Sequence, residues 1–98
     1  MNNLSFTREN NQVVVRGLLD RDHVGTAWQS RQDWLSGNDD VSVDLQGVEK
    51  VDSAGLAMLI QVKAELLQQG RELALHNVNT QLRQFAEVSG VTELLSLS

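Results

Sequence analysis

An apolar strand-like run followed by a long helix-like run is the feature that most limits how this chain can fold. The strand-like run covers residues 41–45, and the helix-like run starts near Ser53 and reaches residue 69. Between them, residues 51–56 read Val-Asp-Ser-Ala-Gly-Leu. Helix N-termini carry unpaired N–H groups and a partial positive charge. Asp52 or Ser53 could therefore cap the helix, or Ser53 could carry a phosphate that the helix end would stabilise.

Composition narrows the class of protein. The 98 residues are enough for one small domain, and a hydrophobic fraction of 41% is ordinary for a globular core. A net charge of −5 with scattered basic residues argues against a nucleic-acid surface. The absence of cysteine excludes disulfides and thiolate metal sites, and a reducing compartment is natural for such a chain.

No export or membrane-spanning segment is visible in the sequence. The first fifteen residues contain Arg8, Glu9 and several asparagines but no apolar signal-peptide core. The longest uninterrupted apolar run, residues 56–60, is far shorter than the ~20 residues that a spanning helix needs. We therefore expect a cytoplasmic protein that reaches a membrane only through a partner.

Hydrophobic periodicity predicts a mixed α/β fold with the element order β-β-α-β-α-β-α. The first two strands form a hairpin turned by Asn10 and Asn11, and Gly17 ends the second strand. Alternating strands and helices after this hairpin imply a mixed sheet with helices packed against it. The predicted strands are residues 4–8, 13–15, 41–45 and 72–76; the predicted helices are residues 24–35, 53–69 and 80–89, and the tail is 91–98.

The predicted helix at residues 53–69 has a wide apolar side that should face the sheet and an opposite, wetter side. Met58 falls among the polar group, beside Ala54, so we expect it to be exposed. An exposed methionine next to small residues is typical of an adaptable contact surface, although a single surface methionine needs no functional explanation. Trp28 on the preceding helix is either a core residue or an interface residue.

Catalytic and metal sites have little support in the sequence. His23 and His76 are far apart and lack the helical spacing of a metal site, so we expect both at the surface or at an edge. No glycine-rich phosphate loop is present, and Ser53 is not part of a nucleophile elbow. Asp44 and Asp52 could flank Ser53, but two acids without a base or a metal are weak support for an active site.

Two segments resemble the STAS-domain family. Residues 17–20 read Gly-Leu-Leu-Asp, which is similar to the motif that follows the second strand in STAS domains. Residues 43–56 are similar to their central strand–loop–helix signature. The resemblance covers nearly the whole chain and implies a single STAS domain over residues 1–98 with the STAS fold.

Two branches of the family are similar to this chain. In anti-sigma-factor antagonists, the serine matching Ser53 is phosphorylated by a partner kinase to break a regulatory complex. The other branch comprises the small STAS subunits of the bacterial phospholipid ABC transporter that maintains outer-membrane lipid asymmetry. Residues 26–31, 51–59, 69–70 and 75–79 resemble that second branch. The chain departs from it at Ser53, where threonine is frequent, and at Ala54, where glycine is frequent.

The resemblance to the transporter branch implies a non-catalytic accessory subunit that needs no cofactor or metal. Its expected partner is the ATPase subunit of the transporter, and through it the membrane permease, without nucleic acid and without direct membrane insertion. Docking would stabilise the assembly and support its ATPase cycle. The expected contact surface is the start and outer face of the helix at residues 53–69, with Trp28 from the helix before it. Its residues are Asp52, Ser53, Ala54, Gly55, Met58, Gln61 and Trp28.

Overall fold

Four strands form one mixed sheet in the computed structural model of the protein, which describes residues 4–10 and 12–95. The strands are β1 (Leu4–Glu9), β2 (Gln12–Leu19), β3 (Val41–Val51) and β4 (Leu73–His76). They lie in the order β1-β2-β3-β4, with β1 antiparallel to β2 and the other two pairings parallel. Parallel neighbours require crossover connections, which helices provide. The predicted mixed α/β fold class is confirmed.

The described residues form four helices: α1 (Val24–Gln29) and α2 (Gln32–Leu35) connect β2 to β3, α3 (Ser53–Gln68) connects β3 to β4, and α4 (Thr80–Ser89) follows β4. Helix α3 contacts β3 and β4 as well as α1 and α4, so it is the central helix of the layer. Alternate residues of β2 and β3 are buried, as expected for strands with one covered face. The largest fully buried side chains come from the sheet, α3, α4 and the tail: Val13, Val15, Leu19, Val43, Leu45, Val51, Leu59, Val62, Leu66, Leu82 and Leu95.

The prediction of one continuous helix over residues 24–35 is wrong, because the chain turns at Ser30. The Ser30 hydroxyl donates to the carbonyls of Thr26 and Ala27, both at 3.2 Å. The Arg31 N–H then bonds to the carbonyl of Trp28 at 3.2 Å, a tighter i→i+3 closure than the α-helical bond. Apolar spacing cannot reveal this break, since α1 and α2 both pack against β1.

Strands β2 and β3 are several residues longer than predicted, and β1 is one residue longer. Strand β2 continues through Gly17, whose φ of 105° accompanies a shift in the register with β3 between Gly17 and Leu18. Glycine therefore allows a bulge here instead of ending the strand. Strand β3 extends past Leu45 to Val51, and Gly47 lies so close to β2 that a Cβ atom there would be 3.0 Å from the carbonyl oxygen of Val15.

The C-terminal elements lie close to the bounds that the sequence pattern predicts. Helix α4 has the predicted bounds: the Asn79 side chain accepts the Leu82 N–H at 2.8 Å at its start, and Gly90 follows its end with a φ of 71°. Strand β4 begins at Leu73, one residue later than predicted. The tail packs back through Leu95, while its last three residues lie outside the described part. In the predicted hairpin turn, Asn10 has a φ of 58° and Asn11 is outside the described residues.

Candidate functional site

The Asp52 carboxylate caps helix α3 and ties it to the loop that follows β2. Its Oδ1 accepts the N–H groups of Ala54 at 2.9 Å and Gly55 at 3.2 Å. Its Oδ2 accepts the N–H of Arg21 at 3.1 Å. Asp52 itself is extended, as an N-cap residue should be. The structure thus assigns the cap to Asp52 and leaves the Ser53 side chain exposed in the first turn.

Replacing Asp52 by alanine is expected to lower the free energy of unfolding by about 1–2 kcal/mol, the usual cost of losing an N-cap acceptor. Ser53→Ala is the matched control and should change it by less than about 0.5 kcal/mol, because the Ser53 hydroxyl is exposed and has no capping role. Urea denaturation of the two variants and the wild type measures both values. Equal losses in the two variants would contradict the assignment of the cap to Asp52.

The Asp44 carboxylate bonds to groups of β3 and the end of β4, and not to Ser53. Its Oδ1 accepts the side-chain amide of Asn77 and the N–H of Gln46, both at 2.9 Å. These two hydrogen bonds lower the pKa of the Asp44 carboxyl below its ordinary value, because both stabilise the ionised form. Asp44 therefore fixes the end of β4 against β3.

Gly55 is buried, and the backbone that approaches it belongs to the same chain. A Cβ atom at this position would lie 2.2 Å from the carbonyl oxygen of Leu19. Leu19 is the last residue of β2, so the missing side chain lets α3 begin directly against the end of that strand. Gly55 therefore sets the position of the helix that carries Ser53 and Ala54.

An apolar groove of about 280 Å³ lies between α1 and α3, next to the start of α3. Helix α1 contributes one wall and α3 the other, and small residues on both helices leave the space open. The groove is lined by Val24, Gly25 and Trp28 from α1 and by Ala54, Ala57, Met58 and Gln61 from α3. It thus brings together four of the predicted contact residues: Trp28, Ala54, Met58 and Gln61.

The expectation that Met58 is exposed is wrong, since only 5% of its surface is accessible. Met58 lies on the side of α3 that faces α1, and α1 covers it. The helical pattern of α3 separates a sheet-facing side from a polar side, but it does not report that a second helix covers part of the polar side. Met58 therefore belongs to the floor of the groove, while Ala57 and Gln61 are exposed.

The two tryptophans have different roles. Trp34 is buried and stacks on Phe6 with a distance of 4.3 Å between ring centroids. Its indole N–H has no hydrogen-bond partner among residues 4–10 and 12–95, contrary to the satisfied N–H expected for a core tryptophan. Trp28 is half-buried; it packs on the core and also lines the groove. Trp28 is therefore both a residue that packs on the core and a residue of the groove.

A polar segment that the sequence pattern did not predict continues the groove along α3. The Arg31 guanidinium lies 4.2 Å from the centre of the Trp28 ring and donates from Nε to Glu65 at 2.8 Å. Its Nη1 also donates to the Trp28 carbonyl at 3.0 Å. The Trp28 ring is thereby held between the Arg31 guanidinium and the core. The spacing of Arg31 with Trp28 was visible in the sequence, but the partner Glu65 is 34 residues away.

Comparison with known proteins places this geometry in a family. A family model described as "Mlab, STAS domain" matches residues 2–96. The chain belongs to the STAS-domain family. Two curated relatives, from Escherichia coli (strain K12) and Shigella flexneri, are named intermembrane phospholipid transport system binding protein MlaB. Each is 28% identical over 85 residues, which are 87% of this STAS domain and 86% of the relative.

A solved structure shares the fold of this STAS domain. The murine solute carrier 26 family member A9 anion transporter, in the inward-facing state, matches it with a TM-score of 0.68 at 19% sequence identity. The match covers 89% of this chain but only 15% of that transporter's chain. The likeness therefore supports the fold alone, and it agrees with the family assignment predicted from residues 17–20 and 43–56.

A buried carboxylate and a histidine hold the loop between β2 and α1 of the STAS domain. His23 Nδ1 lies 2.6 Å from Asp20 Oδ1, and the same oxygen accepts the N–H of Asp22 at 3.2 Å. The hydrogen bond with His23 lowers the pKa of the Asp20 carboxyl below its ordinary value, although burial acts in the opposite direction. His23 is half-buried, so only His76 is fully at the surface as expected.

This depressed pKa predicts that Asp20 makes stability depend on pH on the acid side. Asp20 contributes stability above the pKa of an unfolded aspartate, about 3.9, and loses it as the pH falls through the lower folded value. The difference in unfolding free energy between wild type and Asp20→Asn should shrink as the pH falls from about 5 to about 3. Denaturant titrations across this range measure it. A difference that grows as the pH falls below about 4 would contradict the sign, and His23→Gln should reduce the effect.

Within residues 4–10 and 12–95, no group of three or more His, Asp or Glu side chains is placed to hold a metal ion. In the same part of the chain, no helix is long and apolar enough to cross a membrane. The apolar area between α1 and α3 and the tryptophan that Arg31 holds there are suited to contact with another macromolecule.

Proposed function

We propose that this STAS domain is a non-catalytic accessory subunit that binds the ATPase subunit of a phospholipid ABC transporter. It would act in the cytoplasm, peripheral to the inner membrane through that partner. The transporter would belong to a system that maintains outer-membrane lipid asymmetry. The names of the two curated relatives support this proposal, because the match extends over 86% of their length.

The groove between α1 and α3 is the observation that carries the docking surface. It combines the exposed small residues Gly25 and Ala57 with a half-buried tryptophan that Arg31 holds. Tryptophan and arginine are enriched among the residues that dominate binding energy, and apolar floors beside them exclude water. Asp52 and Gly55 support this surface from beneath, since one caps α3 and the other sets its position.

A difference in binding free energy is enough to give this subunit a mechanism. A domain without catalytic groups can still change an ATPase cycle by binding one conformation of its partner more tightly than another. A coupling of about 1–3 kcal/mol is typical of such effects and changes an equilibrium by about 5- to 150-fold. We expect the STAS domain to stabilise the ATPase subunit and to favour its active arrangement in this way.

Replacing Ala57 by aspartate is expected to weaken binding to the ATPase subunit by at least about tenfold, since burying an unpaired carboxylate costs more than about 1.4 kcal/mol. Ala57 is exposed, so the substitution leaves the core intact, unlike a charge at the buried Met58. Titration of the purified ATPase subunit with each variant measures the affinity. Ala74→Asp, at an exposed alanine on β4, is the matched control and should bind like the wild type.

Two outcomes of this titration have different meanings. Undiminished binding by a folded Ala57→Asp variant would contradict the groove as the docking surface. No binding by the wild-type STAS domain would contradict the transporter function itself. Circular dichroism and thermal melting of each variant separate these outcomes from simple unfolding.

A phosphorylation-controlled antagonist of an anti-sigma factor is the second candidate function. It is favoured by the exposed Ser53 hydroxyl, which is at the start of α3 and is not used in capping. A phosphate there would add about two negative charges beside Ala54 and the groove, and it would oppose an apolar partner. This alternative requires a phosphorylated fraction in the native host. Intact mass spectrometry that detects no phosphate at any growth stage would exclude it.

A further inference from the structure

The outer side of β1 is the least protected boundary of the sheet. Strands β1 and β4 are the two edges, and β4 is only four residues long. Natural edge strands are usually blunted by short length, charge, proline or a bulge. Residues 4–7 of β1 carry no charge and no proline, and the register between β1 and β2 is unbroken. This part of the edge is therefore able to pair with another strand.

The hairpin geometry identifies the backbone groups that face outwards. Two residues connect Glu9 to Gln12, and in such a hairpin the pair next to the turn exchanges backbone hydrogen bonds. Hydrogen-bonded and non-hydrogen-bonded pairs alternate along an antiparallel ladder. The N–H and C=O groups of Ser5, Thr7 and Glu9 therefore face β2. Those of Leu4, Phe6 and Arg8 face the open edge.

A cleft of about 290 Å³ beside this edge provides room on the helix side. Residues 4–7 form one wall, and Thr26, Ala27 and Ser30 are part of the wall on the α1 side. The lining residues carry hydroxyl and apolar groups, and they include His23, whose ring bonds to Asp20. An added strand would need such space for the side chains that it directs towards the helices.

We infer that the strand that pairs here is β1 of a second copy, antiparallel and related by a two-fold axis at Phe6. An axis centred on a residue, and not between two residues, places the outward-facing groups of both strands opposite each other, and Phe6 is the middle one of the three outward-facing residues. With the axis at Phe6, Ser5 lies opposite Thr7 of the second copy, and Leu4 lies opposite Arg8. Hydroxyl pairs of this kind are favourable across strands, and no like charges lie directly opposite each other.

The Phe6 side chain is already fixed for this arrangement. Its ring stacks on the buried Trp34 in the same chain at 4.3 Å, so its conformation is largely set before the second copy arrives. The two Phe6 residues become neighbours across the axis. The paired sheets form one continuous sheet of eight strands, counted as four from each copy. Neither copy uses the groove between α1 and α3 for this contact.

The test is the mass of the full chain in solution as a function of concentration. Sedimentation equilibrium should show the mass rising from 10.9 kDa towards twice that value as the concentration increases. The double substitution Ser5→Glu and Thr7→Glu should abolish the rise, because it places carboxylates directly opposite each other across the axis. It should preserve the fold, since Ser5 pairs with Arg16 within the chain. Hydrogen exchange should show concentration-dependent protection of the Phe6 and Arg8 amides.

Matched variants make the result specific. Gln46→Glu with Ala74→Glu adds the same charge at exposed positions elsewhere on the sheet and should leave the mass rise unchanged. Mixing the acidic β1 variant with a Ser5→Lys and Thr7→Lys variant should restore a dimer, detectable by native mass spectrometry. A mass of one chain at every concentration would overturn the inference. So would a dimer that persists in the acidic variant, for example one formed through the exposed Val88 on α4.

Discussion

Replacing Gly55 by alanine is expected to lower the free energy of unfolding by about 3 kcal/mol or more, among the largest effects of any single methyl group in this protein. The added Cβ would lie 2.2 Å from the carbonyl oxygen of Leu19 and 2.9 Å from its Cγ. Real side chains do not tolerate such distances, so either β2 or α3 must move.

Neither element can move at low cost. Leu19 is fully buried, pairs with Val51 in the sheet and accepts the Asp52 N–H at 3.3 Å. Helix α3 is held at the same place by the Asp52 cap. A shift of α3 would lengthen the bonds from Asp52 and displace Ala54 in the groove. Overpacking is therefore most costly here, where both sides of the contact are hydrogen-bonded backbone.

Gly25→Ala is the matched control for this prediction. Gly25 lies in α1, and an added Cβ there would lie within 4 Å of no described atom outside the adjacent backbone of its own helix. Alanine is a better helix former than glycine, so this variant should be more stable by up to about 1 kcal/mol. Urea denaturation of both variants measures the contrast. A Gly55→Ala variant as stable as the wild type would show that the end of β2 can adapt.

The fold class and the order of most elements could be predicted from the sequence, because each element has a clear period or a clear stop signal. Helix α4 is the best case: Asn79 and Gly90 are local signals, and the bounds agree. Gly17 shows the limit of such reasoning. Glycine usually ends a strand, but here the neighbouring strand supplies a parallel partner on which β2 continues through a bulge.

The candidate site could be predicted only in part, for a related reason. A cap at Asp52 or Ser53 follows from residue type at one junction, whereas the close approach of Leu19 to Gly55 depends on where β2 ends. The burial of Met58 depends on α1, which is about thirty residues earlier in the chain and packs beside α3. The pairing of Arg31 with Glu65 likewise joins two elements that only the tertiary fold brings together.

Arg71 is the other residue whose loss should be costly, and nothing in the local pattern marks it. It is only 3% exposed. Its Nε donates to the carbonyl of Asp39 at 2.6 Å, and its Nη1 donates to the carbonyl of Leu35 at 2.8 Å and to Gln69 Oε1 at 2.9 Å. Nη2 has no partner among the described residues. One guanidinium thus joins the end of α2, the loop before β3 and the end of α3.

Replacing Arg71 by methionine should therefore lower the free energy of unfolding by about 2–4 kcal/mol, which corresponds to about 4–8 °C in Tm for each kcal/mol. Apolar replacement of a buried charge can be neutral when its partner is replaced as well. Here two of the acceptors are main-chain carbonyls that lose their donor, and the bond to the Leu35 carbonyl is a buried one. Arg71→Lys should recover only part of the loss, because one ammonium group cannot reproduce the fork of the guanidinium.

Arg16→Met is the comparison that separates burial from charge. Arg16 forms an ion pair with Glu9 at 3.3 Å, but the two side chains are 56% and 48% exposed. Exposed pairs contribute at most about 1 kcal/mol, and methionine keeps most of the aliphatic stem that packs beside Gly47. Thermal and urea denaturation should thus rank Arg71→Met well below Arg16→Met in stability. The opposite order would mean that the carbonyls of Leu35 and Asp39 find other donors, and that Arg71 is not what holds α2 and α3 together.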